Sequence, residues 1–359
     1  MKIKKILAML LASAVIATSF TGCGINKNSV GAELNGEDIT LGLINFACRY
    51  NQAGSDDFIK QLGGWDSDLM GNGQTMQEST KESVLNGIHE LYTMKAHMSD
   101  YKVELTEEEK NKISEVAKTF MEANEKDALE EIGATQEIVE EYLSLYTIRS
   151  KMYAAIVADV DTNVSDEEGN LSSYSYVKYS LEGTTNQETG ETTELTEDEK
   201  KKIKEEAKAL SDKIASGTKL EDAVKDNQEL SVQTGTYSAK DENIDAKVKA
   251  ALDGLKEGAT SAVVEAEDGL YIVRLDKKLD EEATEKNKEE IIKNRKQEKY
   301  EEVLKKLQED DKWTIKTKKI EQIKFDDYFT RSASTEAATE DEHDHSTEGA
   351  SESVQTTEQ

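Results

Sequence analysis

Tyr174-Ser175-Tyr176-Val177-Lys178-Tyr179 is the stretch that decides the fold, because the character of the chain changes there. Its aromatic and β-branched residues are typical of a β-strand. Residues 30–160, which precede it, instead carry apolar side chains at helical spacing. The change predicts that a mixed α+β block begins near residue 170 and follows a mainly helical region.

The rest of this block, up to residue 280, alternates between helical and extended patterns. Thr196-Glu197-Asp198-Glu199 has the sequence of a capping box, in which the hydroxyl and the last carboxylate accept hydrogen bonds from free amides of the first helical turn. The expected elements are a surface loop at 182–194, a helix from this box to about residue 217, a short helix at 219–225, an extended segment at 230–237, a helix at 246–252, and strands at 262–265 and 270–275.

The helical region is expected to begin with a turn. Asn35-Gly36 predicts a tight turn after an extended segment at 31–34, and Thr40 is placed to cap a helix. The inner face of that helix is expected to carry Leu41, Ile44, Ala47 and Cys48. An irregular connection is predicted at 56–77, with further helices reaching about residue 101, starting at a capping box at Thr106, and opening at Thr135. Helical periodicity returns after residue 281, and 313–325 is predicted to be one more extended segment.

The first residues have the pattern of an export signal. Three lysines within residues 2–5 precede an apolar run at 6–17, which is too short to span a membrane and ends near Thr21-Gly22-Cys23. This ending resembles a bacterial lipobox, although Phe20 departs from the usual Leu. The resemblance implies a signal peptide at 1–22, a lipidated Cys23, a tether at 23–32, and a location on the outer face of the cytoplasmic membrane. An ordinary secretory signal with an incidental cysteine is the alternative.

The composition excludes several kinds of partner. A formal net charge of -30 argues against binding to nucleic acid, whose phosphates require a basic surface, and against direct adhesion to anionic lipid. The lipid anchor would therefore be the contact with the membrane. The last residues, 329–359, are acidic and rich in Ser and Thr, which predicts a disordered tail.

The order of these parts resembles that of the PrsA-type foldase lipoproteins, extracytoplasmic relatives of the chaperone SurA. Leu34-Asn35-Gly36-Glu37-Asp38-Ile39-Thr40 is similar to the first motif of that family's chaperone domain. Four further segments resemble the signatures of its parvulin domain in order and spacing: Gly217-Thr218-Lys219-Leu220-Glu221-Asp222-Ala223, Thr234-Gly235-Thr236-Tyr237, Leu255-Lys256-Glu257-Gly258-Ala259-Thr260-Ser261 and Gly269-Leu270-Tyr271-Ile272-Val273-Arg274.

The resemblance implies an α+β protein with a helical chaperone domain and an inserted parvulin-like (PpiC-type) domain. The chaperone domain would span 33–165, the inserted domain 170–280, and a returning helix and strand 281–328. The implied function is that of a membrane-anchored foldase or chaperone that assists unfolded or partly folded exported proteins. No cofactor or metal is expected, and the resemblance leaves open whether the chain forms a homodimer.

The chain departs from the family at the histidines of the active site. The resemblance implies one histidine in the first strand of the parvulin domain and one in the last, at positions that Tyr176 and Tyr271 occupy here. The four histidines are His89, His97, His343 and His345, so none lies in the block at 170–280. Prolyl isomerase activity is therefore in doubt. Tyr176, Tyr237 and Tyr271 are expected to form a peptide-binding pocket, the alternative being that they are core aromatics.

Other interpretations remain open at this level. A non-catalytic scaffold lipoprotein that binds one fixed envelope partner is the alternative function, whereas a solute-binding lipoprotein would need repeated βα units that the sequence lacks. His343 and His345 are interpreted as incidental residues of the acidic tail rather than as metal ligands. Cys48 is interpreted as a buried apolar residue rather than as a nucleophile.

Overall fold

A computed structural model describes residues 25–185, 192–228 and 230–325, together with the backbone of two short strands, Ala14–Ala17 and Phe329–Ser332. The chain forms two compact units. The first comprises Met1–Ile156 and Val303–Gln359, and the second comprises Val157–Glu302. Cys23 and the histidines of the tail, His343 and His345, lie outside the described residues, as does most of the signal segment and of the tail.

The elements follow one another along the chain as β1 (Ala14–Ala17), β2 (Val30–Leu34), β3 (Glu37–Thr40), α1 (Leu41–Gln61), α2 (Met76–Ala96), α3 (Glu107–Ala123), α4 (Lys126–Glu131), α5 (Gln136–Ile156), α6 (Asp166–Gly169), β4 (Ser172–Ser180), β5 (Thr184–Thr185), β6 (Thr192–Thr193), α7 (Glu197–Ala215), α8 (Leu220–Val224), β7 (Gln233–Tyr237), α9 (Ala246–Asp253), β8 (Val264–Glu265), β9 (Gly269–Lys277), α10 (Glu281–Gln308), β10 (Trp313–Ile315), α11 (Thr317–Ile320) and β11 (Phe329–Ser332). The chain therefore mixes helices with small sheets, which confirms the α+β class.

The second unit is built on an antiparallel sheet with the strand order β7-β4-β9-β8. Because side chains alternate across a strand, β4 sends Tyr174 and Tyr176 to one face and Val177 and Tyr179 to the other. The latter face packs under α7 and α8. The former packs with α9 through Val248 and Leu252. Two small cores thus lie on opposite faces of one sheet.

The first unit begins with the expected hairpin. Asn35 and Gly36 adopt positive φ values of 52° and 90°, as a tight two-residue turn requires. Thr40 then caps α1, and its hydroxyl accepts the Leu43 backbone N–H at 3.2 Å. The strand β10 pairs with β2 on the other side, so that the sheet order is β10-β2-β3. The predicted inner face of α1 is buried, including Cys48 with none of its surface exposed.

Local signals located most helix starts correctly. Both expected capping boxes form, at Thr106 with Glu109 and at Thr196 with Glu199. A third at Thr75 with Glu78, which the sequence reading did not identify, starts α2. The strand predicted in the first segment of the block is β4, and the helices predicted at 219–225 and 246–252 are α8 and α9.

Three boundaries in the first unit were wrong. The connection predicted at 56–77 is shorter, because α1 continues to Gln61. The helix expected to reach residue 101 ends at Ala96. The segment 313–325 is not one extended piece: β10 covers only three residues, and the short helix α11 follows it. Its alternating apolar residues pack into a core formed by distant parts of the chain.

Candidate functional site

A cavity of about 360 Å³ opens on the α9 side of the four-stranded sheet. Tyr174, Tyr176 and Tyr271 form its aromatic wall, and Ile244 and Val248 contribute apolar groups from the start of α9 and the residues before it. All of these residues belong to the second unit. The strands β4 and β9 are neighbours in the sheet, which is why residues about a hundred positions apart in sequence share one wall.

The tyrosine rings form a continuous row of aromatic contacts. The ring centroids of Tyr174 and Tyr176 lie 5.6 Å apart with the rings stacked, and those of Tyr176 and Tyr271 lie 5.7 Å apart with a tilt of 38°. Tyr237 meets Tyr174 edge to face at 5.8 Å. Such pairs stabilise by roughly 0.5–1.5 kcal/mol beyond the area that they bury. Each ring therefore fixes the position of its neighbours.

Gly235 makes room for the first ring of this row. It pairs with Tyr174 across β7 and β4. A Cβ atom at this position would lie 2.8–2.9 Å from three atoms at the end of the Tyr174 side chain, so the ring would have to shift. The glycine of the Thr234-Gly235-Thr236-Tyr237 motif thus allows the aromatic ring to approach the backbone closely.

Tyr271 is held by a small ionic network. Its hydroxyl donates to both carboxylate oxygens of Asp268, at 3.1 and 2.9 Å, and Lys178 Nζ donates to Asp268 Oδ2 at 2.6 Å. Lys178 also lies 5.7 Å from the centre of the Tyr271 ring. Burial, together with the hydrogen bond to Asp268, raises the pKa of Tyr271 to about 12. The hydroxyl therefore stays protonated at neutral pH and serves as a hydrogen-bond donor.

The pKa values of Asp268 and Lys178, the two partners of Tyr271, shift in opposite directions. Burial alone would raise the pKa of Asp268, but the hydrogen bonds from Lys178 and Tyr271 outweigh it and hold that pKa below its usual range. The hydrogen bond to Asp268 raises the pKa of Lys178. Both groups are therefore charged at neutral pH, and the network keeps one fixed charge pair beside the cavity.

Tyr176 is oriented by a different partner. Its hydroxyl donates to Oε1 of Gln233 at 2.5 Å. Gln233 lies on β7, whereas Asp268 lies next to β9, the strand on the other flank of β4. The hydroxyls of Tyr176 and Tyr271 thus donate to separate acceptors, while their rings contact each other with a tilt of 38°. This arrangement presents aromatic surface, and no histidine is among the residues that line the cavity.

The edge of the cavity is acidic. Asp245 caps α9, and its Oδ1 accepts the backbone N–H groups of Lys247 and Val248 at 2.7 and 3.2 Å. Its Oδ2 accepts the N–H of Glu267 at 3.4 Å, which ties α9 to the turn between β8 and β9. Burial would raise the pKa of Asp245, but these hydrogen bonds outweigh it and lower that pKa. Glu267, Asp268 and Asn243 complete the edge.

The structure brings together two of the three pocket residues expected from the sequence. Tyr176 and Tyr271 line the cavity, whereas Tyr237 is 4% exposed and lies behind Tyr174 in the core. Tyr174 was missed, although its spacing of two residues from Tyr176 places it on the same face of β4. Asp268 was also missed, because nothing in the local sequence distinguishes it from other surface acids.

Other polar groups belong to the framework. Cys48 is fully buried, and desolvation raises its pKa to about 12 despite the opposing charges of Lys81 and Arg49. His97 pairs with Asp100 at a helix end. Within the described ranges, no group of three or more His, Cys, Asp and Glu side chains is arranged to hold a metal ion. None of the helices found there is long and apolar enough to cross a membrane.

Comparison with known sequences finds a family model that is similar to most of the second unit. The family model described as the PPIC-type PPIASE domain matches residues 185–288. Foldase protein PrsA of Clostridium botulinum strain 657 is 27% identical over 339 residues, which cover 89% of this chain and 98% of that protein. The protein of the same name from strain Loch Maree is 28% identical over 330 residues, which cover 85% of this chain and 94% of that protein.

Solved structures align with much of the chain, but with low sequence identity and low TM-scores. The foldase protein PrsA of Lactococcus lactis is 16% identical, with 81% of this chain and 96% of that chain covered and a TM-score of 0.31. PrsA of Bacillus subtilis is 14% identical, with 79% and 93% covered and a TM-score of 0.25. The domain match and the sequence relatives therefore carry the comparison.

Proposed function

We propose that this chain, a PrsA-type foldase that carries a PPIC-type domain, is an extracytoplasmic chaperone that binds segments of exported proteins in the tyrosine-lined cavity. The alignment with the PrsA relatives extends over both units and not only over the matched domain, which supports a shared function for the whole chain. We further propose that the cavity binds proline-containing segments without accelerating their isomerisation.

One observation carries the proposal. The strand positions at which the family resemblance implies histidines hold Tyr176 and Tyr271, and their rings lie 5.7 Å apart on the wall of an open cavity. A proline ring is apolar and flat enough to pack against such aromatic faces. The replacement therefore preserves a surface for an Xaa-Pro segment while it removes the two imidazoles.

The remaining groups give little help to isomerisation. The barrier to rotation about a peptide bond is about 18–20 kcal/mol, and a catalyst must bind the twisted amide better than the planar one. The Tyr176 and Tyr271 hydroxyls are already committed to Gln233 and Asp268. Neither is free to follow the amide as it twists, so both forms of the segment are expected to bind about equally well.

The place of action in this proposal is the outer face of the cytoplasmic membrane. Lipidation of Cys23, which lies outside the described residues, would provide the anchor. The homodimer left open by the sequence is not needed for the cavity, because all of its lining residues come from one unit of one chain.

Binding can be tested by NMR on the chain from residue 23 onward with Cys23→Ser, which lacks the lipid. Titration of the ¹⁵N-labelled protein with a short peptide that contains one Xaa-Pro bond should shift amide signals of β4, α9 and β9. Tyr271→Ala should weaken binding by about three- to tenfold, the equivalent of one aromatic contact.

Tyr179→Phe is the matched control, since Tyr179 lies on the same strand as Tyr176 but is buried on the opposite face of the sheet. This variant should bind the peptide as the parent chain does. Amide signals that shift only outside the second unit would contradict the assignment of the cavity. An equal loss of peptide affinity in the two variants would also contradict it.

A further inference from the structure

The charge around the cavity is one-sided. Three carboxylate residues, Asp245, Glu267 and Asp268, lie among its lining residues, and no lysine or arginine does. Lys178 stands beside the wall, but its ammonium group is paired with Asp268 at 2.6 Å. The lining therefore keeps an excess of negative charge next to three tyrosine rings.

The three carboxylates are not equivalent. Asp245 accepts backbone N–H groups at the start of α9 with Oδ1 and the N–H of Glu267 with Oδ2, and Asp268 is occupied by Lys178 and Tyr271. Glu267 is exposed, and among the described residues its carboxylate has no hydrogen-bond or ion-pair partner. It is therefore the acid that remains available to a ligand.

The position of Glu267 is fixed even though its side chain is exposed. It lies in the turn closed by the hydrogen bond from Ala266 N to Gly269 O, at 2.9 Å, and its own N–H donates to Asp245. The backbone that carries it is thus tied both to the β8–β9 turn and to α9. The carboxylate of Glu267 and the Tyr271 ring therefore line the same cavity.

Aromatic faces and carboxylates favour the same kind of ligand. The face of a tyrosine ring carries partial negative charge and attracts a lysine or arginine side chain within about 6 Å. An exposed carboxylate adds a screened attraction to the same cation. A carboxylate on the ligand would meet repulsion from all three acids.

Resting on the proposed function, we propose that the cavity selects peptide segments in which a lysine or arginine adjoins the proline, with the cation between the tyrosine rings and Glu267. The chaperone would thus distinguish among segments by the charge of the flanking residue. Glu267 is the residue that determines this specificity.

The test compares three peptides that differ only in the residue before proline, which is Lys, Gln or Glu. Binding to the full chain from residue 23 onward, with Cys23→Ser, is measured by NMR titration at low and at physiological salt. The Lys peptide should bind about fivefold more tightly than the Gln peptide, and the Glu peptide should bind most weakly. Salt should reduce these differences.

Glu267→Lys should remove most of the preference for the Lys peptide, because the added ammonium group offsets the charge of the remaining acids. Glu205→Lys is the matched control: it makes the same change of charge at an exposed residue of α7, which packs on the opposite face of the sheet, and should leave the order unchanged. Because both positions are exposed, neither change is expected to disturb folding.

Equal affinities of the three peptides would overturn this inference and leave the proposed function standing. An order that Glu205→Lys changes as much as Glu267→Lys would also overturn it, because the effect would then come from net charge. Binding of acetyl-lysine amide as tight as that of the Lys peptide would assign the site to small cations instead of peptide segments. If none of the peptides binds, the proposed function itself fails.

Discussion

Asp311 provides the sharpest test of how the end of the chain completes the first unit. Its side chain is only 2% exposed and accepts hydrogen bonds from Asn35 Nδ2 at 2.9 Å and from Thr93 Oγ1 at 2.7 Å. His89 Nε2 lies 3.0 Å from the same carboxylate, and the His89 ring stacks on Trp313 at 4.7 Å. One carboxylate therefore joins the β2–β3 turn, helix α2 and the segment that follows α10.

Replacing Asp311 with Ala should destabilise the protein by ~3 kcal/mol. A hydrogen bond to a charged group contributes roughly 1.5–3 kcal/mol, and a buried donor left without an acceptor costs about 1–3 kcal/mol. The contact with Asn35 is exposed and adds little, and the Thr93 hydroxyl keeps a second acceptor in the His89 carbonyl oxygen, 2.9 Å away. The estimate therefore rests on the loss of the charged acceptor of Thr93 and on the His89 ring nitrogen, which loses its partner. Asp311→Asn keeps the shape and one acceptor oxygen, and should cost about half as much.

Urea unfolding followed by tryptophan fluorescence measures this effect directly. The two tryptophans of the chain, Trp65 and Trp313, both lie in the first unit, and Trp313 is two residues from the substitution. Asp310→Ala is the matched control, because Asp310 is exposed and should change the free energy of unfolding by less than about 0.5 kcal/mol. Equal stabilities of the two variants would refute the role assigned to Asp311.

Three further predictions concern single groups. Alkylation of Cys48 at pH 8 should be slow in the native chain and fast in urea, because burial raises the pKa of the thiol to about 12. The contribution of the neutral thiol to stability is present below the ordinary pKa near 9 and is lost between pH 9 and 12. Fast labelling of the native chain would contradict the burial of Cys48. Gly235→Ala should displace the Tyr174 ring, lower the free energy of unfolding in urea by ~1 kcal/mol and weaken peptide binding. Gly87→Ala, which has open space around it, should instead raise the free energy of unfolding by ~0.5–1 kcal/mol. Effects of the opposite sign would contradict the packing. The ultraviolet titration curves of the parent chain and Tyr271→Phe should differ near pH 12, where the Tyr271 phenol ionises. The contribution of this phenol to stability is present below pH 10 and is lost between pH 10 and 12. Titration curves that differ near pH 10 would contradict the hydrogen bond to Asp268.

The sequence predicted the elements that depend on local chemistry. Thr40, Thr106 and Thr196 each cap a helix through contacts within three residues, so the local sequence alone was sufficient to predict where these helices begin. The turn at Asn35-Gly36 is equally local, because few residues accept a positive φ.

The errors arose where distant contacts decide the structure. In the segment 313–325, the strand is limited to the three residues that pair with β2, and Phe325 packs on Trp65 with ring centroids 4.9 Å apart. Neither partner is visible from the local pattern. The alternation of apolar residues was assigned to an extended conformation, whereas Thr317–Ile320 forms a helix.

The candidate site was predictable only in part. The period of two along β4 and β9 identifies which tyrosines share a face, and the family resemblance selected Tyr176 and Tyr271. The acids at the edge were not foreseeable, since Asp245, Glu267 and Asp268 stand among many carboxylates in a chain with a net charge of -30. Their roles follow from the way β9 and α9 meet in space.

Exchange NMR on a peptide with one Xaa-Pro bond is the most direct test of the central claim, that a cavity with tyrosines in place of histidines binds proline segments without isomerising them. The peptide is measured with and without the chain from residue 23 onward carrying Cys23→Ser. The account predicts that the peptide signals broaden on binding while cis–trans exchange keeps its uncatalysed time constant, on the order of tens to hundreds of seconds at 25 °C. Cis–trans exchange that becomes faster in proportion to the protein concentration would contradict it.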